Sequence, residues 1–120
     1  MYEENEVREA TLEYFGGDQL ATNVFMTKYC LRDKKGRFME KTPGDMHRRL
    51  AKEFARMEKK FEKARTGPIA GHTYARRAGP SLAEDEIYSY LSNFKYIVPQ
   101  GSPMMGIGND YVNVSLSNCV

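Results

Sequence analysis

The sequence has only two cysteines, two histidines and no long apolar run. A bilayer-spanning helix needs roughly 20 consecutive apolar residues, and no stretch approaches that length, so the sequence predicts no membrane span. Cys30 and Cys119 lie far apart, without the C-x-x-C or Cys/His spacing of a zinc site. Because His47 and His72 are isolated from each other and from any cluster of ligands, we expect no metal site.

An excess of charge of one sign is also missing. Eighteen basic residues face sixteen acidic ones, which leaves a net charge of +2 over 120 residues. This balance gives no global reason to expect a nucleic-acid or membrane partner. The N-terminal stretch MYEENEVREA is acidic and polar, unlike a secretory signal. We therefore expect at most one domain, reduced thiols and a cytoplasmic location.

The first two predicted helices are separated by a pair of glycines. Residues 3–15 have acidic side chains in the first turn, and Gly16-Gly17 ends the pattern. A second helix is predicted from Asp18, as N-cap, through QLATNVFMTKY. Its buried side is predicted to contain Leu20, Val24 and Tyr29.

The third predicted helix has the clearest pattern, in TPGDMHRRLAKEFARMEKKFEK. Thr42 is predicted as its N-cap, Pro43 as its first helical residue and Asp45 as an acidic residue of the first turn. Apolar residues then recur at spacings of three and four, which indicates one buried face. They are Met46, Leu50, Phe54, Met57 and Phe61.

A fourth helix is predicted after an irregular stretch. Residues 65–80 are rich in glycine and basic residues and have no period, which favours a mobile surface loop. Ser81 and Glu84 then have the spacing of a capping box. The apolar side of this helix is predicted to consist of Leu82, Ile87, Tyr90, Leu91 and Phe94.

The end of the sequence changes to a period of two. Val112, Val114 and Leu116 alternate with polar residues, which predicts a β-strand with Cys119 at its tip. A single strand cannot satisfy its own backbone donors and acceptors. We therefore interpret the chain as the N-terminal piece of something larger, whose remaining polypeptide would pair with this strand.

Three segments resemble the large, catalytic subunit of ribonucleotide reductases. EYFGGDQLATNVFMTKYCLRD and EKTPGDMHRRLAKEFARMEKKF resemble its helical N-terminal domain, and EDEIYSYLSNFKYIVPQGSPMMGIGNDYVNVSLSNCV resembles the junction with its catalytic barrel. The likeness is greatest to the adenosylcobalamin-dependent bacterial type, which includes diphosphate reductases. The resemblance implies a mainly α fold, with a helical N-terminal domain over residues 1–98. Residues 99–120 would form a substrate loop and the first strand of an incomplete, ten-stranded α/β barrel.

The resemblance also implies roles for three residues in replacing the ribose 2′-hydroxyl by hydrogen. Cys119 matches the first of two cysteines that reduce the substrate and become a disulfide, while a thiyl radical on a third cysteine abstracts the 3′ hydrogen. Ser102, in GSPMMG, matches a Ser or Thr before proline that binds substrate phosphate or ribose. Asn118 matches the substrate-contacting position before the redox cysteine.

The residue types are compatible with those roles. A redox thiol must be accessible at the edge of an element, and a Ser-Pro-x-x-Gly loop leaves backbone N–H groups free for phosphate oxygens. Without the resemblance, Cys119 would be interpreted as a small buried residue and Ser102 as a turn residue. Cys30, in the helical part, is expected in the core.

The other reacting residues of this family lie downstream, so we expect the segment to be inactive alone. Its implied partners are a ribonucleotide, the remainder of the reductase chain and a thioredoxin- or glutaredoxin-type reductant, with a dimer as the intact enzyme. The implied cofactor is adenosylcobalamin; the alternative is a separate radical-generating subunit and no cobalamin.

A hypothesis of another class is a free-standing helical module that binds nucleic acid or a partner protein. It rests on the basic face between His47 and Lys63, together with the stretch ARR at 75–77. The interspersed carboxylates Glu53, Glu58 and Glu62 are more typical of a solvated face.

Overall fold

The computed structural model describes residues 1–65 and 81–111. This part of the chain is helical, and its β-structure is limited to two isolated bridges that both involve Phe38. The predicted strand, with Asn118 and Cys119, lies outside the described residues. So does the predicted loop over residues 65–80, except for Arg65, which is helical.

Five α-helices form the described fold. They are α1 (Glu4–Tyr14), α2 (Gln19–Val24), α3 (Pro43–Arg65), α4 (Glu84–Leu91) and α5 (Gly101–Gly106). A π-helix, Phe25–Tyr29, continues directly from α2, and a 3-10 turn, Ser92–Phe94, follows α4. The mainly α class predicted for the helical domain is confirmed.

The link between α1 and α2 follows its local signals. Gly16 and Gly17 both have positive φ, and the Gly17 N–H donates to Leu12 O at 2.9 Å, which ends α1. The Asp18 side chain accepts a hydrogen bond from the Ala21 N–H at 2.9 Å, as expected for an N-cap. Both predictions are confirmed.

The predicted buried side of the second helix is wrong at Leu20, whose side chain is 75% exposed. The buried residues are Thr22, Phe25 and Met26, which share one face at spacings of three and four. Leu20 lies two positions before Thr22, so it is on the opposite side of the helix.

Helix α3 begins as predicted. The Asp45 carboxylate accepts hydrogen bonds from the backbone N–H groups of Lys41 (2.8 Å) and Thr42 (3.0 Å), which are otherwise unsatisfied at the helix start. Thr11, fully buried in α1, donates from its hydroxyl to Lys41 O at 3.0 Å. These bonds fix the start of α3 against α1.

The predicted apolar face of α3 is confirmed for its first half only. Met46 and Leu50 are fully buried, but Phe54 is 39% and Phe61 57% exposed. The buried line instead follows the four-residue ridge from His47 through Ala51 to Ala55. The predicted face, which combines spacings of three and four, therefore lies beside the row of residues that is buried beyond Leu50.

Helix α4 begins at Glu84, two residues later than the predicted cap at Ser81 implies. Its N-cap is Ala83, which makes no side-chain cap, and acidic residues fill the first turn instead. Leu82 thus precedes the helix and is exposed, as is Tyr90. Ile87 and Leu91 are buried as predicted.

The core lies where α3 crosses the other helices. It comprises Val7, Phe25, Met26, Cys30, Phe38, Met46, Leu50, Ala51, Ala55, Ile87, Leu91 and Met104. All five α-helices or their flanking turns contribute to the contacts around it. The segment containing Ser102 is therefore packed onto the helical core through Met104.

Candidate functional site

The GSPMMG segment forms the short helix α5, which differs from the expected open loop. The Met104 N–H donates to Gln100 O (3.1 Å) and the Ile107 N–H donates to Pro103 O (3.0 Å), so these groups are engaged within the helix. Pro103 fits because the first turn of a helix does not need its N–H. Ser102 lies in that first turn and is half-buried.

Tyr29 contacts the beginning of α5. It is the last residue of the π-helix, and a Cβ added to Gly101 would lie 3.3 Å from its Cε1 and Oη atoms. The missing side chain of Gly101 therefore lets the tyrosine ring approach the residue before Ser102. Single-turn π-helices are frequent at functional sites because they redirect one side chain out of register.

Arg49 contacts the other end of α5. Its Nη2 donates to Met104 O at 2.9 Å and its Nη1 donates to Ile107 O. Its Nε donates to the Glu40 carboxylate at 2.7 Å. One planar guanidinium thus joins α3, the chain before α3 and the end of α5.

Glu40 completes this arrangement from the opposite side. Its Oε1 accepts the hydrogen bond from Arg49 Nε. Its Oε2 accepts a hydrogen bond at 2.9 Å from the N–H of Leu31, which lies just beyond the π-helix. The two side chains are only 9% and 6% exposed. Both charges are thus buried with hydrogen-bond partners, as buried ions require.

Gly108 packs directly on the stem of Arg49. It has a φ of +69°, and a Cβ added there would lie 2.9 Å from Arg49 Cγ. Any side chain would displace the arginine or the backbone. The glycine is therefore needed for close approach as well as for the turn after α5.

Cys30 lies on the core side of Glu40 and is buried, as expected. Its Sγ donates weakly to Glu40 O at 3.3 Å. Burial, together with the negative charge of Glu40, raises the pKa of the Cys30 thiol to about 12. A thiol held protonated in this way is a poor nucleophile at neutral pH.

An apolar cavity of about 150 Å³ lies beneath α5. Tyr29, Met46, Phe94 and Met104 are among the residues that line it. Nucleotide binding needs polar groups for phosphate and sugar, which these side chains do not offer apart from the tyrosine hydroxyl. The cavity is therefore part of the core packing rather than a nucleotide site.

Three arginines of the basic face on α3 are paired with carboxylates. Arg48 contacts Asp85 (2.7 Å) and Arg56 contacts Glu53 (2.6 Å), in addition to the Arg49 pair. Arg48 also stacks over the Tyr88 ring, 3.8 Å from its centroid. These three arginines are therefore paired with carboxylates, whereas a nucleic-acid surface would present its cations to phosphates.

Searches of the described residues for two other features give negative results. Within residues 1–65 and 81–111, no group of three His, Cys, Asp or Glu side chains could hold a metal ion. The same ranges contain no helix that is long and apolar enough to cross a membrane.

The site residues predicted from the sequence are only partly placed. Ser102 lies at the start of α5, while Cys119 and Asn118 lie outside the described residues. Sequence reasoning missed Arg49, Glu40 and Tyr29. The signal for Arg49 was its place directly before Leu50 and three residues after Met46, both on the predicted buried face.

The chain matches the family described as ribonucleotide reductase, all-alpha domain, over residues 15–110. This match covers about four-fifths of the sequence. The chain belongs to that family. No curated protein and no solved structure shows a match to it.

The matched range of the ribonucleotide reductase domain includes the whole Arg49 contact network. Glu40, Arg49, Ser102 and Gly108 all lie inside it, as do helices α2 to α5, whereas α1 precedes it. The helical architecture described above is therefore that of a ribonucleotide reductase all-α domain. Residues 111–120, which contain Asn118 and Cys119, lie beyond the match.

Proposed function

We propose that this chain is the N-terminal part of the catalytic, large subunit of a ribonucleotide reductase. It would supply the helical domain, the Ser102 segment and one reducing cysteine to a barrel completed by downstream polypeptide. The family match over residues 15–110 is the observation that carries this proposal. On its own, the segment would not catalyse the reaction.

In the proposed reaction, a ribonucleotide loses its 2′-hydroxyl as water and becomes a deoxyribonucleotide. Cys119 and a second cysteine from the downstream polypeptide supply two electrons and two protons and become a disulfide. A thiyl radical on a third cysteine, also downstream, abstracts the 3′ hydrogen. A thioredoxin- or glutaredoxin-type protein then reduces the disulfide by thiol exchange.

Ser102 and Asn118 are proposed to contact the substrate. The Ser102 hydroxyl would donate to a phosphate or ribose oxygen, and Asn118 would contact the nucleotide beside the redox thiol. Ser102 is half-buried in the first turn of α5, and its proposed role rests on its match to the family's Ser-Pro position.

The proposed radical-generating cofactor is adenosylcobalamin. The family resemblance places the contacts of this cofactor outside residues 1–120. Its contacts are therefore assigned to the downstream polypeptide. The alternative, a separate radical-generating subunit, predicts that activity is independent of added adenosylcobalamin.

Reconstitution tests the proposed function. The chain is combined with the downstream part of its catalytic polypeptide, and reduction of CDP and CTP is measured with thioredoxin and adenosylcobalamin, each present or omitted. We expect reduction by the combination and none by the chain alone. Size-exclusion chromatography of the combination tests the proposed dimer, and cell fractionation tests the proposed cytoplasmic location.

Two cysteine variants give the matched comparison. Cys119→Ser is expected to abolish turnover with thioredoxin, because the reducing disulfide cannot form. Cys30→Ala is expected to retain turnover, because the Cys30 thiol is buried and has a raised pKa. Full activity of Cys119→Ser with thioredoxin would contradict the assigned role.

The nucleic-acid hypothesis has less support, since Arg48, Arg49 and Arg56 are already paired with carboxylates. Salt-dependent binding of DNA or RNA by the chain, together with failed reconstitution, would favour it.

A further inference from the structure

We infer that Arg49 is a positioning residue for substrate binding: it fixes the rotation of α5 and thereby the direction of Ser102. The inference rests on the proposed function for the role of Ser102. The link between Arg49 and α5 stands on the geometry alone.

Helix α5 is too short to be stable by itself. It has six residues, and isolated helices below about 12 residues are marginal in water. The last carbonyl groups of a helix also have no partner within it. Arg49 supplies partners to Met104 O and Ile107 O, two carbonyls in this terminal region. The helix is therefore held by tertiary hydrogen bonds.

Two fixed carbonyls define the orientation of a helix as short as α5. Met104 O and Ile107 O are held by the two terminal nitrogens of one rigid, planar group. At the other end, Tyr29 packs on Gly101. Ser102 lies between these two contacts, so the direction of its side chain depends on both.

The buried ion pair is better explained by positioning than by stability. A buried Arg–Glu pair gains little net free energy over apolar residues of similar size, because both ions lose their hydration. What the pair adds here is direction: Glu40 holds Nε of Arg49 at 2.7 Å and is itself held by the Leu31 N–H at 2.9 Å. Glu40 thus fixes the orientation of the guanidinium independently of the contacts between Arg49 and α5.

Arg49→Lys tests the inference because lysine keeps the charge but cannot make the planar, three-way contact. In the reductase reconstituted from this chain and the downstream polypeptide, we expect the KM for CDP or CTP to rise about tenfold with a smaller change in kcat. Arg56→Lys is the matched control, because Arg56 is an exposed arginine on the same helix. It should leave KM unchanged.

Hydrogen exchange on the 120-residue chain gives a second readout that does not need activity. In Arg49→Lys, the Met104 and Ile107 amides should exchange faster by a factor at least ten times larger than the Leu50 amide in α3, whose exchange reports the stability of the whole domain. Glu40→Gln is the second variant, in case Arg49→Lys does not fold; it keeps the side-chain shape and should shift exchange in the same direction.

The two readouts separate failure of the inference from failure of the proposed function. If the wild-type combination does not reduce nucleotides, the proposed function fails, and exchange alone decides whether Arg49 holds α5. Unchanged exchange at Met104 and Ile107 in the folded variants overturns the inference. So does faster exchange with an unchanged KM in an active reductase.

Discussion

His47 is a buried polar residue in α3. Its side chain is fully inaccessible, and within the described part of the chain neither ring nitrogen has a hydrogen-bond partner. The Phe94 ring packs edge-on against it, with centroids 4.5 Å apart. Burial lowers the pKa of His47 to about 4, because the charged form loses its hydration.

This pKa predicts a loss of stability in mild acid. Between about pH 6.5 and pH 4 the unfolded chain binds a proton at His47 that the folded chain does not, so stability is full above this range and falls as pH decreases. We expect the free energy of unfolding to be about 2 kcal/mol lower near pH 5 than near pH 7.5. Urea denaturation at the two pH values measures it.

Replacing His47 identifies the source of this loss. His47→Phe should remove most of the difference between the two pH values. An undiminished difference in folded His47→Phe would assign the acid sensitivity to other groups.

At the scale of elements, α2 depends on its N-cap. The Asp18 carboxylate accepts from the Ala21 N–H, and the helix has only six residues before the π-helix begins. Asp18→Ala is expected to lower the free energy of unfolding by about 1 kcal/mol. Asp18→Asn should be close to wild type, because its amide oxygen can accept the same bond. Equal urea midpoints for Asp18→Ala and wild type would disprove the cap's contribution.

Gly108, in the turn after α5, is needed both for its positive φ and for its close approach to Arg49. A comparison with Gly36 separates the two effects. Both Gly36 and Gly108 have positive φ, but a Cβ at Gly36 meets nothing within 4 Å, while one at Gly108 lies 2.9 Å from Arg49 Cγ. Gly36→Ala should cost roughly 1 kcal/mol from backbone strain alone. Gly108→Ala should cost clearly more, because Arg49 must also move. Thermal unfolding of the two variants compares them directly, and equal losses would mean that the contact with Arg49 is unimportant.

The elements that were predicted well are those with local signals. Gly16-Gly17, Asp18 and Pro43 act through the backbone of their own turn, so their effect can be read without knowing what packs nearby. The π-helix and α5 have no such signal. In the sequence, the π-helix cannot be distinguished from a continuation of α2. Helix α5 is held by side chains that are far away in sequence, above all Arg49.

The candidate site shows the same limit. Arg48 and Arg49 are adjacent and identical in type, yet one is paired at the surface with Asp85 and the other is buried against Glu40. Periodicity assigned both to the charged face, because it describes one helix and not the elements that pack on it. The role of Ser102 came from the family resemblance and stays a prediction.

At the scale of the whole molecule, the described helices share one core. Val7 from α1, Phe25 from the π-helix, Leu50 from α3, Leu91 from α4 and Met104 from α5 belong to the same buried cluster. A small domain with one continuous core is expected to unfold in a single cooperative transition. Loss of packing at any of these positions should therefore destabilise all of the helices together.

Two leucines test this cooperativity. Leu50 is fully buried in α3 and Leu20 is largely exposed in α2. Leu50→Ala should lower the free energy of unfolding by about 2–5 kcal/mol, because it leaves a cavity in the shared core, while Leu20→Ala should change it by less than about 0.5 kcal/mol. Since the chain has no tryptophan, tyrosine fluorescence can follow the tertiary structure and circular dichroism the helices. The two signals should give the same midpoint in wild type and in Leu50→Ala; if the helical signal outlasted the tyrosine signal, the helices would not form one cooperative unit.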